Sequence, residues 1–319
     1  MDKGDMKTTI LDAWFGGFLY FTPLVMLFPK KLIYYKKVFA VIIILSVFYI
    51  IYDIMFISNL MEKEKDVLSR EIVEYFSKTL AVPIGFILFT FIYHSKPKNM
   101  YALGVLLLTI FFAMVRARRG LLFMTVGSLF IFYVIFWIKS KSRLLMTILS
   151  LSAFFIISAF GAYYINSQEI EILEYLEKRG MEDTRSGVER YFYKDMQGLD
   201  WVIGRGMRGR YYSPTMGEGN LRGTIETDYL NMILKGGIIN LTLLLLILLP
   251  AIYNGLFRSK NLLSKASAIW ILFWLLNTHP STVQVFTLNY MIVWFAVGIC
   301  YSNVIRNLPE NFLLAYFRP

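Results

Sequence analysis

Apolar stretches long enough to cross a bilayer alternate with short polar breaks along almost the whole chain. A spanning helix needs about 20 predominantly apolar residues. Runs at or near that length predict helical spans near 9–28, 38–58, 77–94, 100–117, 120–138, 144–165, 236–257, 266–280 and 283–304. Between the sixth and seventh lies the only sizeable polar segment, 166–225. The expected fold is therefore all-α, a polytopic transmembrane helical bundle of about nine spans with one large outer loop of short helices. Three regions follow: 1–165 with the N-terminal spans, 166–225 as the loop, and 226–319 with an amphipathic lead-in and the C-terminal spans.

Charge in the breaks gives the threading. One set of loops holds Lys30, Lys31, Lys36 and Lys37; Lys96 and Lys98; Lys139, Lys141 and Arg143; and Arg258, Lys260 and Lys265, without a carboxylate. The alternate set, "MEKEKDVLSREIVEYFSK" and 166–225, mixes both signs. Lys/Arg bias assigns the first set to the cytoplasm and the N-terminus and long loop to the outside. The first apolar run lacks a small-residue cleavage site after it, so it is expected to stay as a span.

Composition narrows the chemistry. The 319 residues are 57% hydrophobic and only 17% charged, too little polar surface for a soluble globule of this size. The net charge of +11 sits in short loops, so it points to membrane topology and not to nucleic acid. A lone cysteine, Cys300, and two histidines, His94 and His279, leave no internal disulfide and no thiolate or histidine-built metal cluster.

Against this background "MVRARRGLLF" stands out, with Arg116, Arg118 and Arg119 between two spans on the side where topology does not call for positive charge. Each Arg at a bilayer centre costs about 2.5–3.5 kcal/mol on insertion scales. Single arginines at a helix end snorkel to headgroups; three in a tight hairpin suit a phosphate or pyrophosphate, which guanidiniums grip bidentately. A second basic cluster, "WVIGRGMRGRYYSPTMGEGN", alternates Arg205, Arg208 and Arg210 with glycines. Glycine lets such a turn bend and present backbone amides beside the side chains, an anion-binding arrangement; Trp201, Tyr211 and Tyr212 offer rings for sugar stacking.

From Glu226 to Gly255 a straight helix would run about 45 Å, longer than the hydrocarbon core. The lead-in 225–235 is expected to break or bend at Gly236–Gly237. Near its start, Asp228 fits a capping role and Glu226 a chemical one. Glu226-Thr-Asp228 also has the acid-x-acid form of a divalent-cation site, but the arginines already supply positive charge, so no metal and no cofactor is expected. His279, in "NTHPST", lies in the turn between the last two spans, where it either faces the same cavity or serves as a turn residue.

These pieces resemble the O-antigen polymerase and O-antigen ligase superfamily of bacterial envelope glycosyltransferases over roughly 100–257. "RRGLLF" is similar to the family's Ser-Arg-Gly-Ala-Leu-Leu element and places Arg119 at the family arginine. "SGVERYFYKDMQGLDWVIGRGM" is similar to a loop segment that picks out Arg190, Gly204 and Gly206. "ETDYLNMILKGGIINL" is similar to His-Asn-x-Tyr-Leu followed by a Gly-Ile-Ile turn, which aligns Tyr229 and puts Glu226 where ligases have His. That departure favours a polymerase. Arg208 precedes Gly219 at a spacing like that of polymerase loops.

The resemblance implies transfer of a glycan from undecaprenyl pyrophosphate to a lipid-linked repeat unit at the outer face of the bacterial cytoplasmic membrane. Glu226, Arg119 and Arg190 would be catalytic; Arg116, Arg118, Arg205, Arg208, Arg210, Tyr229 and His279 would bind pyrophosphate or glycan. Partners would be the undecaprenyl-pyrophosphate-linked oligosaccharide and membrane lipid, with room for a chain-length regulator and none for nucleic acid. Two competitors remain: a ligase moving a finished glycan to a lipid or protein acceptor, and a transporter or flippase of lipid-linked sugars. The transporter would spread charge through the membrane depth, whereas here it gathers at one edge.

Overall fold

The computed structural model describes residues 10–13, 16–28, 30–61, 72–116, 118–140, 184–214 and 220–318. It is mostly helical, 77% against 2% strand, so the all-α expectation holds apart from one minimal strand pair. Four helices are long and apolar enough to cross a membrane: α2 (Leu32–Met55), α5 (Lys96–Val115), α6 (Arg119–Lys139) and α9 (Asp228–Phe257). Shorter apolar helices stand beside them: α1 (Gly17–Phe21) continued as a 3₁₀ turn (Thr22–Leu27), α4 (Ile84–Phe89), α10 (Leu262–Asn277) and α11 (Leu288–Tyr301). The expected span 144–165 lies outside the described residues. Short helices α3 (Ile57–Met61), α12 (Asn303–Asn307) and α13 (Glu310–Phe317) complete the bundle.

The expected span 77–94 is not one α-helix. A widened π-type helix covers Ile72–Ala81, Pro83 precedes α4, and a 3₁₀ turn (Phe91–Tyr93) ends it. All six residues of α4 are buried, which makes this broken segment the centre of the bundle. Phe86 and Phe89 meet Trp270 of α10 edge-on, with ring centroids 5.6 and 5.4 Å apart. Close helix approach depends on small residues, as expected where lipid gives no hydrophobic drive between helices. A Cβ on Gly255 would lie 2.6 Å from both Ala268 Cβ and Cys300 Sγ, and one on Gly127 2.7 Å from the Phe273 ring. Buried hydroxyls of Thr90, Thr109, Thr125 and Ser128 donate to carbonyls four residues back, so none needs water.

Contacts divide the loops between two ends of the bundle. At one end Tyr93 Oη donates to Glu310, and Asn261 Nδ2 donates to the carbonyls of Ile305 (2.7 Å) and Leu308 (3.0 Å). Glu310 also accepts from the Leu262 amide at 2.9 Å. The other end gathers the α5–α6 hairpin, the 278–287 turn, the start of α9 and the polar segment. That segment folds as α7 (Thr184–Asp195) and α8 (Leu199–Ile203), with β1 (Tyr211–Tyr212) antiparallel to β2 (Leu221–Arg222). Phe192, Met196, Tyr211 and Ile225 form a small core with Leu230, Ile233 and Leu234, so the first turns of α9 pack with the loop.

The break expected at Gly236–Gly237 is present. Gly237 has φ +66°, a left-handed conformation inside α9 that glycine alone adopts without strain.

Candidate functional site

The glycine-rich turn gives the amides of Arg205 and Gly206 to the broken helix and that of Gly209 to its own backbone. The kink at Gly237 frees carbonyls of the preceding turn, and the turn satisfies them: Arg205 N–H donates to Leu234 O (2.8 Å) and Gly206 N–H to Lys235 O (3.0 Å). Gly204 (φ +71°) sits where a Cβ would be 2.6 Å from the amides of Gly236 and Gly237. Lys235 Nζ donates to Gly209 O at 2.8 Å. Four glycines therefore let two backbones touch, and the turn plugs the broken helix.

Arg205 is equally committed. Its Nε and Nη2 donate to Asp200 Oδ2 at 2.9 and 2.8 Å, and its Nη1 pairs with Asp195. Nη1 and Nη2 also reach the carbonyls of Arg210 and Asp195. The guanidinium hydrogen bonds hold the Asp200 carboxyl below its ordinary range. Arg205 is thus the clamp of the loop, not a ligand group at its surface. Arg208 and Arg210 remain exposed on the same turn. Tyr211 is fully buried, edge-on to Phe192, and burial pushes its phenol up to about 12. Trp201 donates from Nε1 to Met196 O and stacks on Tyr193. Of the three rings expected to face sugars, Tyr212 is the exposed one.

The hairpin arginines behave differently. Arg119 is exposed as the first residue of α6, and Arg118 precedes it, so both add charge to the positive end of a 21-residue helix dipole. Arg116 Nη2 donates to the Asn59 carbonyl. Gly120 lies against the 278–287 turn, where a Cβ would be 3.0 Å from Ser281 Cβ and 3.2 Å from Pro280 O. That turn leads directly to the acids. Thr282 Oγ1 donates to Glu226 O at 3.3 Å, and Asp228 N–H donates to Thr278 O at 2.8 Å.

Asp228 is not the cap of its own helix. Thr227 occupies the N-cap position, and Asp228, fully buried, accepts through Oδ2 from the amides of Val283 (2.9 Å) and Gln284 (2.6 Å). It fastens the 278–287 turn to α9 and leaves Glu226 as the exposed acid of the pair. Glu226 stands 3.8 Å from Arg222 of β2. Next to it, Thr227 Oγ1 donates to Glu189 Oε1 of α7. Tyr229 and His279 stack with centroids 6.3 Å apart at 20°.

The structure therefore brings together Glu226, Tyr229, His279 and the start of α6 that carries Arg119, all around one turn. Arg190 is exposed one position beyond Glu189 on α7. Glu189 and Arg222 were missed. Arg222 was legible as an i,i+4 partner of Glu226, whereas Glu189 is one of several carboxylates in 166–189 and its partner Thr227 lies 38 residues away. Beneath the turn, a cleft is lined by Lys78, Thr79, Met124, Thr282, Val283 and Asn289. No family model, curated protein or solved structure matches the chain.

Proposed function

We propose that this protein is a polysaccharide polymerase that lengthens a glycan on undecaprenyl pyrophosphate, with the loop-bearing end of the bundle outside the cytoplasmic membrane. What supports the reading is one juxtaposition: an arginine-bearing helix start, a His–Tyr stack and an exposed glutamate, distant in sequence, meet at the 278–287 turn. Such a reaction needs no nucleotide, because the leaving diphosphate is already activated. A hydroxyl of the incoming lipid-linked repeat attacks the anomeric carbon of the growing chain, and the bond from that carbon to the diphosphate oxygen breaks. The hydroxyl proton passes to Glu226, and Arg119 with Arg116 and Arg118 balances the charge gathering on the diphosphate. Tyr229 and His279 would offer a flat face to a sugar ring, and Arg190 and Arg208 are further exposed cations of the loop that would bind the glycan or its diphosphate.

Purified protein in vesicles, given lipid-linked repeat units, is expected to produce a ladder of lengths. A single transfer to a lipid or protein acceptor would instead assign it to ligation. Unchanged single repeats, from a preparation whose membranes restore polymer in a polymerase-deficient strain, would refute the direct reaction.

A further inference from the structure

We propose that α8 lies in the membrane surface, with one face set among the upper acyl chains of the leaflet on the loop-bearing side. This inference needs only that the chain crosses a bilayer and is independent of the polymerase reading. The face is apolar and open. Leu199, Val202 and Ile203 are 71%, 44% and 58% exposed, and their spacing of three and four puts them on one side of the helix. The other sides of α8 are engaged within the loop. Asp200 is held by Arg205, and Trp201 stacks on Tyr193 and donates to Met196 O. Met207, on the turn that follows, is exposed as well. Four large apolar side chains open on so short a stretch mark a surface that meets an apolar partner.

What that partner is follows from α9. Beyond its kink, Ile239, Leu243, Leu246, Leu249, Tyr253 and Phe257 recur every three or four residues and are all at least 48% exposed, a stripe that faces lipid. At 1.5 Å per residue the stripe is about 27 Å long, close to the ~30 Å of the hydrocarbon core. Arg258 follows it directly, with its guanidinium 5.2 Å from the Tyr253 ring centroid, and Lys260 comes two residues later. These cations mark one boundary of the core. The other boundary then falls at Ile238–Ile239, and α8 is held at that level. A Cβ on Gly237 would collide with the Val202 carbonyl and lie 2.5 Å from the Ile203 amide nitrogen. Ile238 is itself exposed, so the lipid-facing surface of α9 begins at the residue next to the α8 contact. The turn after α8 rests on Leu234 and Lys235, on the headgroup side of the kink. A short helix at this depth finds acyl carbons for its apolar side chains and headgroups for its polar neighbours. Through α8 the bilayer thus sets the height at which the loop sits.

Fluorescence quenching of the full chain in phosphatidylcholine–phosphatidylglycerol vesicles tests this. With the native cysteine replaced (Cys300→Ser), Leu199→Cys and Ile203→Cys each carry an environment-sensitive dye. Nitroxide attached near the top of the lipid acyl chains is expected to quench both dyes strongly, and iodide in the water only weakly. Leu199→Cys keeps the test open should a label at Ile203 disturb its seat on Gly237. Iodide quenching as strong as that of the free dye would show that the face meets water and would overturn the proposal. So would protection from both quenchers, because protein, from this chain or a second copy, would then cover the face.

Discussion

Two arginine-rich turns, 116–119 and 205–210, look alike in sequence and differ in what holds them. The loop turn has Asp195 and Asp200 ten and five residues ahead of Arg205, close enough to fold back as partners. Two of its amides, those of Arg205 and Gly206, are committed to the kink in α9. The hairpin joins two spans directly, with no acid inside it, and it docks through glycine against a turn that carries a histidine. The acids beside Arg205 turn its cluster into a structural clamp, whereas the hairpin cluster has no acid within it and stands at a helix N-terminus.

The largest expected effect tests the hairpin. Arg119→Ala should slow chain growth about 100-fold or more with an unchanged melting temperature, and Glu226→Gln should do likewise. Initial rates of ladder formation beside thermal scans check both. A melting temperature lowered in step with activity would make the hairpin structural as well and erase the contrast.

Next comes the plug in the kinked helix. Gly237→Ala places a Cβ 2.0 Å from the Val202 carbonyl oxygen at a positive φ. A loss of about 2–4 kcal/mol is expected, read by unfolding in detergent and by protease cutting in the loop. A smaller loss is expected for Arg205→Ala. Its side chain is 24% exposed, so the charged hydrogen bonds are discounted to about 1–2 kcal/mol. Arg205→Lys should recover only part of that, because an ammonium cannot grip two acids and two carbonyls together.

The smallest effect is a pH dependence. Arg205 depresses the Asp200 carboxyl in the folded loop, so its contribution is present above the unfolded carboxylate range and disappears as pH falls through the folded value. Trp201 fluorescence should report loosening of the loop in acid, and Arg205→Ala should lack that contribution.

Much of the architecture was legible because bilayer thickness and apolar run length constrain each other. The four long helices, the hairpin and the glycine break in α9 all follow from that one ratio. The interruption of 77–94 was hidden, since the break arises from packing around Pro83 and leaves hydropathy unchanged. At the site, Glu226, Tyr229 and His279 were legible as residue types near one face. The roles of Arg205 and Asp228 were not, because each depends on a partner, a carboxylate or a pair of amides, that hydropathy and local spacing do not reveal.

The stitched end of the molecule has a mechanical consequence. Asn261, Tyr93 and Glu310 knot four stretches of chain at the base, so the helices cannot splay there. Tyr93 and Glu310 each bond to two other stretches, so loosening either side chain would slacken more than one tie at the foot of the bundle.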